Sequence, residues 1–332
     1  MAHRPDALKF LFPGWYTVPM GLAGLALAWQ RAVPLMGEMA TGLALVLGTL
    51  AALVLAALLL ATLRRGQRHP EAWADDRRHP VRHTFVATLP MAVLLLATVA
   101  VGAWGPQPWA DALWWAGSLG LLGVTAWVLS RWWRGAQAGG LQWASITPAL
   151  FIPVVGNVVP PLAGVALGHS EWAAAQFGIG LMFWPVVLVL LIARVLVQGM
   201  WPERLLPTVF IVIAPPTVVG LSALQLGAPL LLGWACWGMA LFCFGWAASV
   251  ANRIRDLPFS LTHWALSFPL AAFAALTLRL ATPGSPLAVL GPILLALASI
   301  IILGLCMATL RGLRDGSLLA PEPVASIVPV AG

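Results

Sequence analysis

The sequence predicts an all-α integral membrane protein. Ten transmembrane helices are expected to form a quasi-fivefold barrel, with kinked odd-numbered helices inside and smooth even-numbered ones outside. Three observations predict it. Hydrophobic residues make up 61% of the 332-residue chain and charged residues 9%, where a soluble domain carries about 25% charged. The apolar residues gather into ten long runs. Interior prolines favour every second run.

The runs are Phe10–Trp29, Met39–Leu63, Thr84–Ala103, Ala112–Ser130, Trp143–Leu167, Trp172–Ala193, Leu205–Leu224, Ala228–Ala251, Phe259–Leu278 and Leu287–Leu310. At about 1.5 Å per residue each can cross a hydrocarbon core about 30 Å thick, and none holds Asp, Glu, Lys or Arg in its interior. The first run has no small-residue cleavage site after it and many spans behind it, so it reads as a span rather than a leader. The longest connector, Arg64–His83, mixes acids and bases and reads as a solvated cytoplasmic loop. Residues 1–312 form one ten-helix domain. Residues 313–332, with Pro321, Pro323 and Pro329, read as a short disordered cytoplasmic tail.

Charge tests this segmentation. With the N-terminus inside, the cytoplasmic pieces carry Arg4, Lys9, Arg64, Arg65, Arg68, Arg77, Arg78, Arg82, Arg131, Arg134, Arg194, Arg204, Arg253, Arg255, Arg311 and Arg314, which is 16 of the 18 Lys and Arg. Only Arg31 and Arg279 fall on the other side. A miscounted helix would scramble this asymmetry, so an even number of spans, both termini cytoplasmic, in the cell (inner) membrane follows. The same scatter over short connectors makes the net charge of +7 a matter of membrane orientation, not of nucleic acid. Trp29, Trp104, Trp109, Trp132, Trp133, Trp143, Trp172, Trp201 and Trp264 lie near run ends and read as interface anchors. Cys236, Cys243 and Cys306 sit in apolar runs without paired spacing and read as buried small hydrophobes.

Pro19, Pro90, Pro153, Pro215 and Pro269 recur through the odd runs, and the even runs are nearly free of proline, with Pro185 the exception. A unit of one kinked and one smooth helix thus repeats five times. The even runs are greasier and suit lipid. The odd ones hold more Gly, Ser and Thr, suited to close packing or to lining water. In the ninth run, Leu266-Ser267-Phe268-Pro269-Leu270 places an aromatic ring on a proline bend.

These residues resemble the tellurite-resistance/dicarboxylate transporter family of TehA-like bacterial proteins, malate permeases and plant slow anion channels. The resemblance is carried by the stretch from Pro19-Met20-Gly21 to Trp29, by His79-Pro80-Val81-Arg82, by Phe151-Ile152-Pro153-Val154-Val155-Gly156-Asn157, by Ala214-Pro215-Pro216 and by Trp264 to Leu270. It implies ten helices in five hairpins, a central pore lined by the odd helices, a homotrimer with one pore per subunit, and occlusion of the pore by Phe268. Ser267 and Leu266 stand where channel relatives often have Thr and Tyr, and the long regulatory tails of the plant channels are absent.

The absence of an intramembrane acid argues against a carboxylate-driven proton pump and suits a conduit for small anions. Pro19, Pro90, Pro153, Pro215, Pro269 and Ser267 are expected at kinks lining the pore, and Phe85 as a second constriction. His79, Arg82 and His83 are expected to form a cytoplasmic vestibule, although a plain basic flank explains them as well. His263 is a candidate for titration at the pore mouth or an ordinary interfacial histidine. No catalytic or metal-ligand constellation and no Walker loop is present, so no cofactor is expected; His79 and His83 are four apart, but Pro80 disfavours a helical metal site. The alternative to an anion channel is a proton-coupled C4-dicarboxylate (malate) carrier or a tellurite or sulfite exporter. A membrane enzyme or scaffold fits less well.

Overall fold

The computed structural model describes residues 7–134 and 140–320, and every regular element among them is a helix. The helices are α1 (Thr17–Met36), α2 (Glu38–Arg68), α3 (Pro70–Arg78), α4 (Thr88–Trp104), α5 (Pro108–Trp132), α6 (Phe151–Val155), α7 (Pro161–Gly164), α8 (Ser170–Gln198), α9 (Ala214–Gln225), α10 (Leu230–Ala248), α11 (Ala251–Arg255), α12 (Ser267–Leu280) and α13 (Pro286–Arg314). Counting the 3-10 turns that lead into α4, α9 and α12, eight helices are long and apolar enough to cross a membrane. The 20-residue α1, which contains Arg31, and the interrupted apolar segment Pro148–Gly164 make up the remainder of the buried bundle.

The recurring prolines do not sit in mid-helix. Pro19, Pro90, Pro153 and Pro269 are the third residues of α1, α4, α6 and α12, and Pro215 is the second of α9. A 3-10 helix precedes each of these α-helices: Pro13–Tyr16, Arg82–Ala87, Pro148–Leu150, Glu203–Ile213 and Leu261–Leu266. A proline N–H cannot serve the carbonyl four residues earlier, so the α pattern does not run back through it. The turn before each α-helix is instead closed by a 3-10 bond, from a carbonyl to the N–H three residues on: Gly14 O accepts from Thr17 N–H, Phe85 O from Thr88, Pro148 O from Phe151, Ile211 O from Ala214 and Trp264 O from Ser267. Of these, Ile211 is the carbonyl four residues before its proline.

Burial separates two classes of helix. In the most apolar stretch of the broken segments, 67% (82–104), 94% (203–225) and 83% (261–280) of residues are buried; in the continuous helices α2, α5, α8, α10 and α13 the share is 22–33%. Broken segments therefore form the interior and continuous helices the apolar outer face. Pairs that follow one another in the chain pack together: α1 with α2, α4 with α5, α9 with α10, and α12 with α13. Pro292, inside α13, joins Pro185 as a second proline in a continuous helix.

The connector expected to be a solvated loop is instead largely helical and anchored. α2 runs on to Arg68, and α3 follows. Arg65 and Asp76 are both buried and meet at 2.7 Å, with Arg82 3.3 Å from the second Asp76 oxygen. Arg65 also donates to the carbonyls of Lys9 and Ala72, tying the start of the chain to α2 and α3. Two expected interface anchors are likewise interior. Trp264 is fully buried and donates to Thr309 Oγ1 at 2.9 Å, and Trp201 donates to Ile146 O at 2.8 Å. In the expected tail, α13 continues to Arg314 and Leu318 N–H bonds back to Gly312 O. Arg4 and residues 321–332, including the three tail prolines, lie outside the described residues.

Removing one partner of the buried pair should be costly. Asp76→Ala is expected to lower the free energy of unfolding by about 3 kcal/mol, read as a fall in thermal stability of the detergent-solubilised protein. The paired apolar replacement Arg65→Met/Asp76→Leu should recover much of the loss.

Candidate functional site

The five junctions converge on one cavity of about 50 Å³, room for a few waters. α1 contributes Thr17 and Met20; the 82–104 segment contributes Phe85 and Met91. The interrupted segment supplies Phe151, Ile152, Val155, Gly156, Val158 and Val159. Ile211, Ala214, Pro215 and Val218 come from the 203–225 segment, and Ala265, Phe268 and Pro269 from 261–280. None of these is charged. The hydroxyls beside it do not make it polar, because they are turned back on the backbone. Thr17, Thr88 and Ser267 each stand two residues before a junction proline and donate, at 2.6 Å, to the carbonyl of Gly14, Phe85 and Trp264. Each is the carbonyl that already accepts the i+3 backbone bond.

Phe268 is buried against α1. A methyl group at Gly24 would stand 2.8 Å from Phe268 Cδ2 and 3.7 Å from the Ala271 Cβ, so glycine is what lets the ring lie on the α1 backbone. Ser267 is fully buried and faces Gly21, between α1 and α12 rather than on the cavity wall. Pro19, Pro90 and Pro153 are also buried behind the wall; Pro215 and Pro269 are on it. Phe85 shares the cavity with Phe268 and meets Phe12 edge to face at 6.2 Å. Phe151 is a third ring on this wall that sequence reading did not single out, although it stands two residues before Pro153 in a quoted stretch.

The three vestibule candidates do not converge. Arg82 borders a separate cavity of about 120 Å³ with Arg204 and Ser317, and its guanidinium lies 5.4 Å over the Phe12 ring. His79 Nδ1 accepts the backbone N–H groups of Val81 and Arg82, both at 3.1 Å, and so closes a turn. His83 is buried, bonds His79 O at 3.0 Å and meets the Trp127 ring edge to face. His263 closes the start of the Leu261–Leu266 turn through Ser260 and borders a third cavity with Phe210 and Arg255.

The family sequence model SLAC1, described as "voltage-dependent anion channel", matches residues 11–310. The chain belongs to this family of anion channels. It is 28% identical to the S-type anion channel SLAH3 of Arabidopsis thaliana over 166 residues, 49% of this chain and 26% of that protein. Against SLAH2 of the same plant it is 30% identical over 133 residues, 40% of this chain and 26% of the other. The matched part thus spans about a quarter of the plant channels' length. An uncharacterized transporter of Methanocaldococcus jannaschii is 22% identical over 301 residues, 81% of this chain and 83% of that one. With eight apolar helices, this member of the anion channel family is a multi-pass membrane protein.

In this channel-family protein a buried polar network fixes the interrupted segment that carries the largest share of the cavity wall. Asn157 donates to Thr125 Oγ1 at 2.8 Å and Val154 O at 3.1 Å, and accepts from Gln176 Nε2 at 2.8 Å. Gln176 also donates to Ser118 O at 3.1 Å, while the Ser118 hydroxyl donates to Gln176 Oε1 at 2.5 Å and accepts from Trp172 at 2.9 Å. Thr125 reaches Pro153 O at 2.5 Å. Every side chain in it finds partners, as a membrane interior requires. Gln176→Leu would strand Asn157 Oδ1 and the Ser118 hydroxyl. It is expected to destabilise the protein by about 1–2 kcal/mol, read by thermal unfolding in detergent; an unchanged transition would contradict a supporting role for the network.

Proposed function

We propose that the protein conducts small anions down their electrochemical gradient through the cavity at the five junctions, with Phe268 as the gate. One observation carries this reading: Phe268, on the proline junction of its segment, lines a cavity to which all five broken segments contribute. With the ring in place the space holds only a few waters, so an anion passes when the ring leaves. The finer architecture goes with it. Ten crossings in five hairpins surround the passage, α1 and 148–164 completing the eight longer spans. Residues 1–312 are one domain, both termini are cytoplasmic in the cell membrane, and three subunits assemble with one passage each. Phe85 is a second constriction. Arg82, near Arg204, lends positive potential to the cytoplasmic approach, and the wall contains no acid to repel an anion.

The second reading is a carrier for C4-dicarboxylates or an exporter of tellurite or sulfite, favoured by the transporter name of the Methanocaldococcus relative. The uncharged wall offers neither a protonatable carboxylate nor a charged pocket for a dicarboxylate. Saturating uptake that follows an imposed pH gradient would favour the carrier.

Phe268→Ala tests the gate. The substitution is expected to raise anion current in planar bilayers or oocytes on the order of tenfold, as would follow from removing about 1.4 kcal/mol of barrier. Unchanged current from a well-folded variant removes the ring from the mechanism.

A further inference from the structure

Of all the lysines and arginines, Arg31 and Arg279 alone fall on the side away from the basic connectors. Neither side chain makes a hydrogen bond, an ion pair or a ring contact among the described residues. Their neighbours are engaged elsewhere: Gln30 donates to Val99 O at 2.9 Å and Trp29 to Ser299 at 3.2 Å.

Their places on the two helices are matched. Met20 of α1 and Phe268 of α12 both line the cavity. Arg31 follows Met20 by eleven residues, and Arg279 follows Phe268 by eleven. At about 100° and 1.5 Å per residue, eleven residues return to within about 20° of the same face, about 16 Å farther along. The helices are also in register, since Gly21 faces Ser267 and Gly24 faces Ala271. Continuing that register two turns brings Arg31 beside 277 and 278, next to Arg279. Arg31 is half-buried and feels the charge of Arg279, which is exposed.

We propose that Arg31 and Arg279 form a binding site for a small anion, a halide or an oxyanion, at the end of the passage away from the basic connectors. Two guanidiniums side by side without a carboxylate repel each other, and an anion between them turns that repulsion into two charge-assisted contacts. The planar fork of each suits an oxyanion. Such a site concentrates anions at the entrance and leaves the passage beyond it uncharged, so a captured ion is not held inside. The assignment rests on reading the cavity as an anion passage. A lipid phosphate offers the same chemistry from another source.

The test uses the full chain in zwitterionic-lipid nanodiscs and proteoliposomes. Sodium nitrate is titrated against sodium gluconate at constant ionic strength, with thermal stability and nitrate flux as readouts. Nitrate is expected to raise the Tm of the wild type. Its half-effect concentration should rise about tenfold in Arg31→Gln and in Arg279→Gln, with flux falling most at low nitrate. Arg31→Lys and Arg279→Lys should keep most of the effect, which separates lost charge from lost packing. No nitrate effect on the wild type, or folded Gln variants with the wild-type titration, would overturn the site. Stabilisation by added anionic phospholipid but not by nitrate would also overturn it, because the arginines then hold a headgroup. A wild type that carries no flux yet shows arginine-dependent nitrate stabilisation would keep the site and remove the conduction reading.

Discussion

Within a bilayer every peptide N–H and C=O must find its partner in the protein, and a passage through the middle of a helix bundle makes that demand hardest to meet. This chain meets it at five proline junctions. Each proline removes one donor, and the turn before its α-helix is a 3-10 turn closed by a carbonyl that takes the N–H three residues on. At three of the five, a Thr or Ser hydroxyl settles on that carbonyl as well. The cavity, its uncharged wall and the position of Phe268 all depend on these junctions holding.

Polar groups elsewhere are arranged by the same constraint. The side chains linking Asn157 to α5 and α8 complete one another's hydrogen bonds, so the interrupted segment can bend without stranding an amide. On the side of the basic connectors, Asp76 lies between Arg65 and Arg82 and fastens the first residues to α2 and α3. Arg31 and Arg279, on the opposite side, lie near the C-terminal ends of α1 and α12, the two helices that meet at Phe268.

Much of this was legible in the sequence. Hydropathy marked the helices, proline spacing separated the inner from the outer ones, and Phe268 stood out because an aromatic preceded a proline in a charge-free run. Other features depend on partners far away in the chain. Nothing local says that Trp264 meets Thr309, 45 residues on, rather than a headgroup. A mixed-charge stretch such as Arg64–His83 reads as solvated until Asp76 is seen against Arg65. The Ser and Thr of the odd runs suited either close packing or a wet lining, and whether a hydroxyl such as that of Thr17, Thr88 or Ser267 faces water or its own backbone is a rotamer choice that composition does not contain. Proline position misled in a smaller way. It located the five breaks, but not that each falls in the first turn of an α-helix, where a missing N–H costs least.

Selective passage of anions is tested most directly by reversal potential. Purified protein in planar bilayers would be measured under a potassium chloride gradient, then with nitrate or gluconate in place of chloride. The account predicts a reversal potential near the chloride equilibrium value, moving with the anion replaced. A reversal potential near that of potassium, or no current above protein-free bilayers, would contradict it.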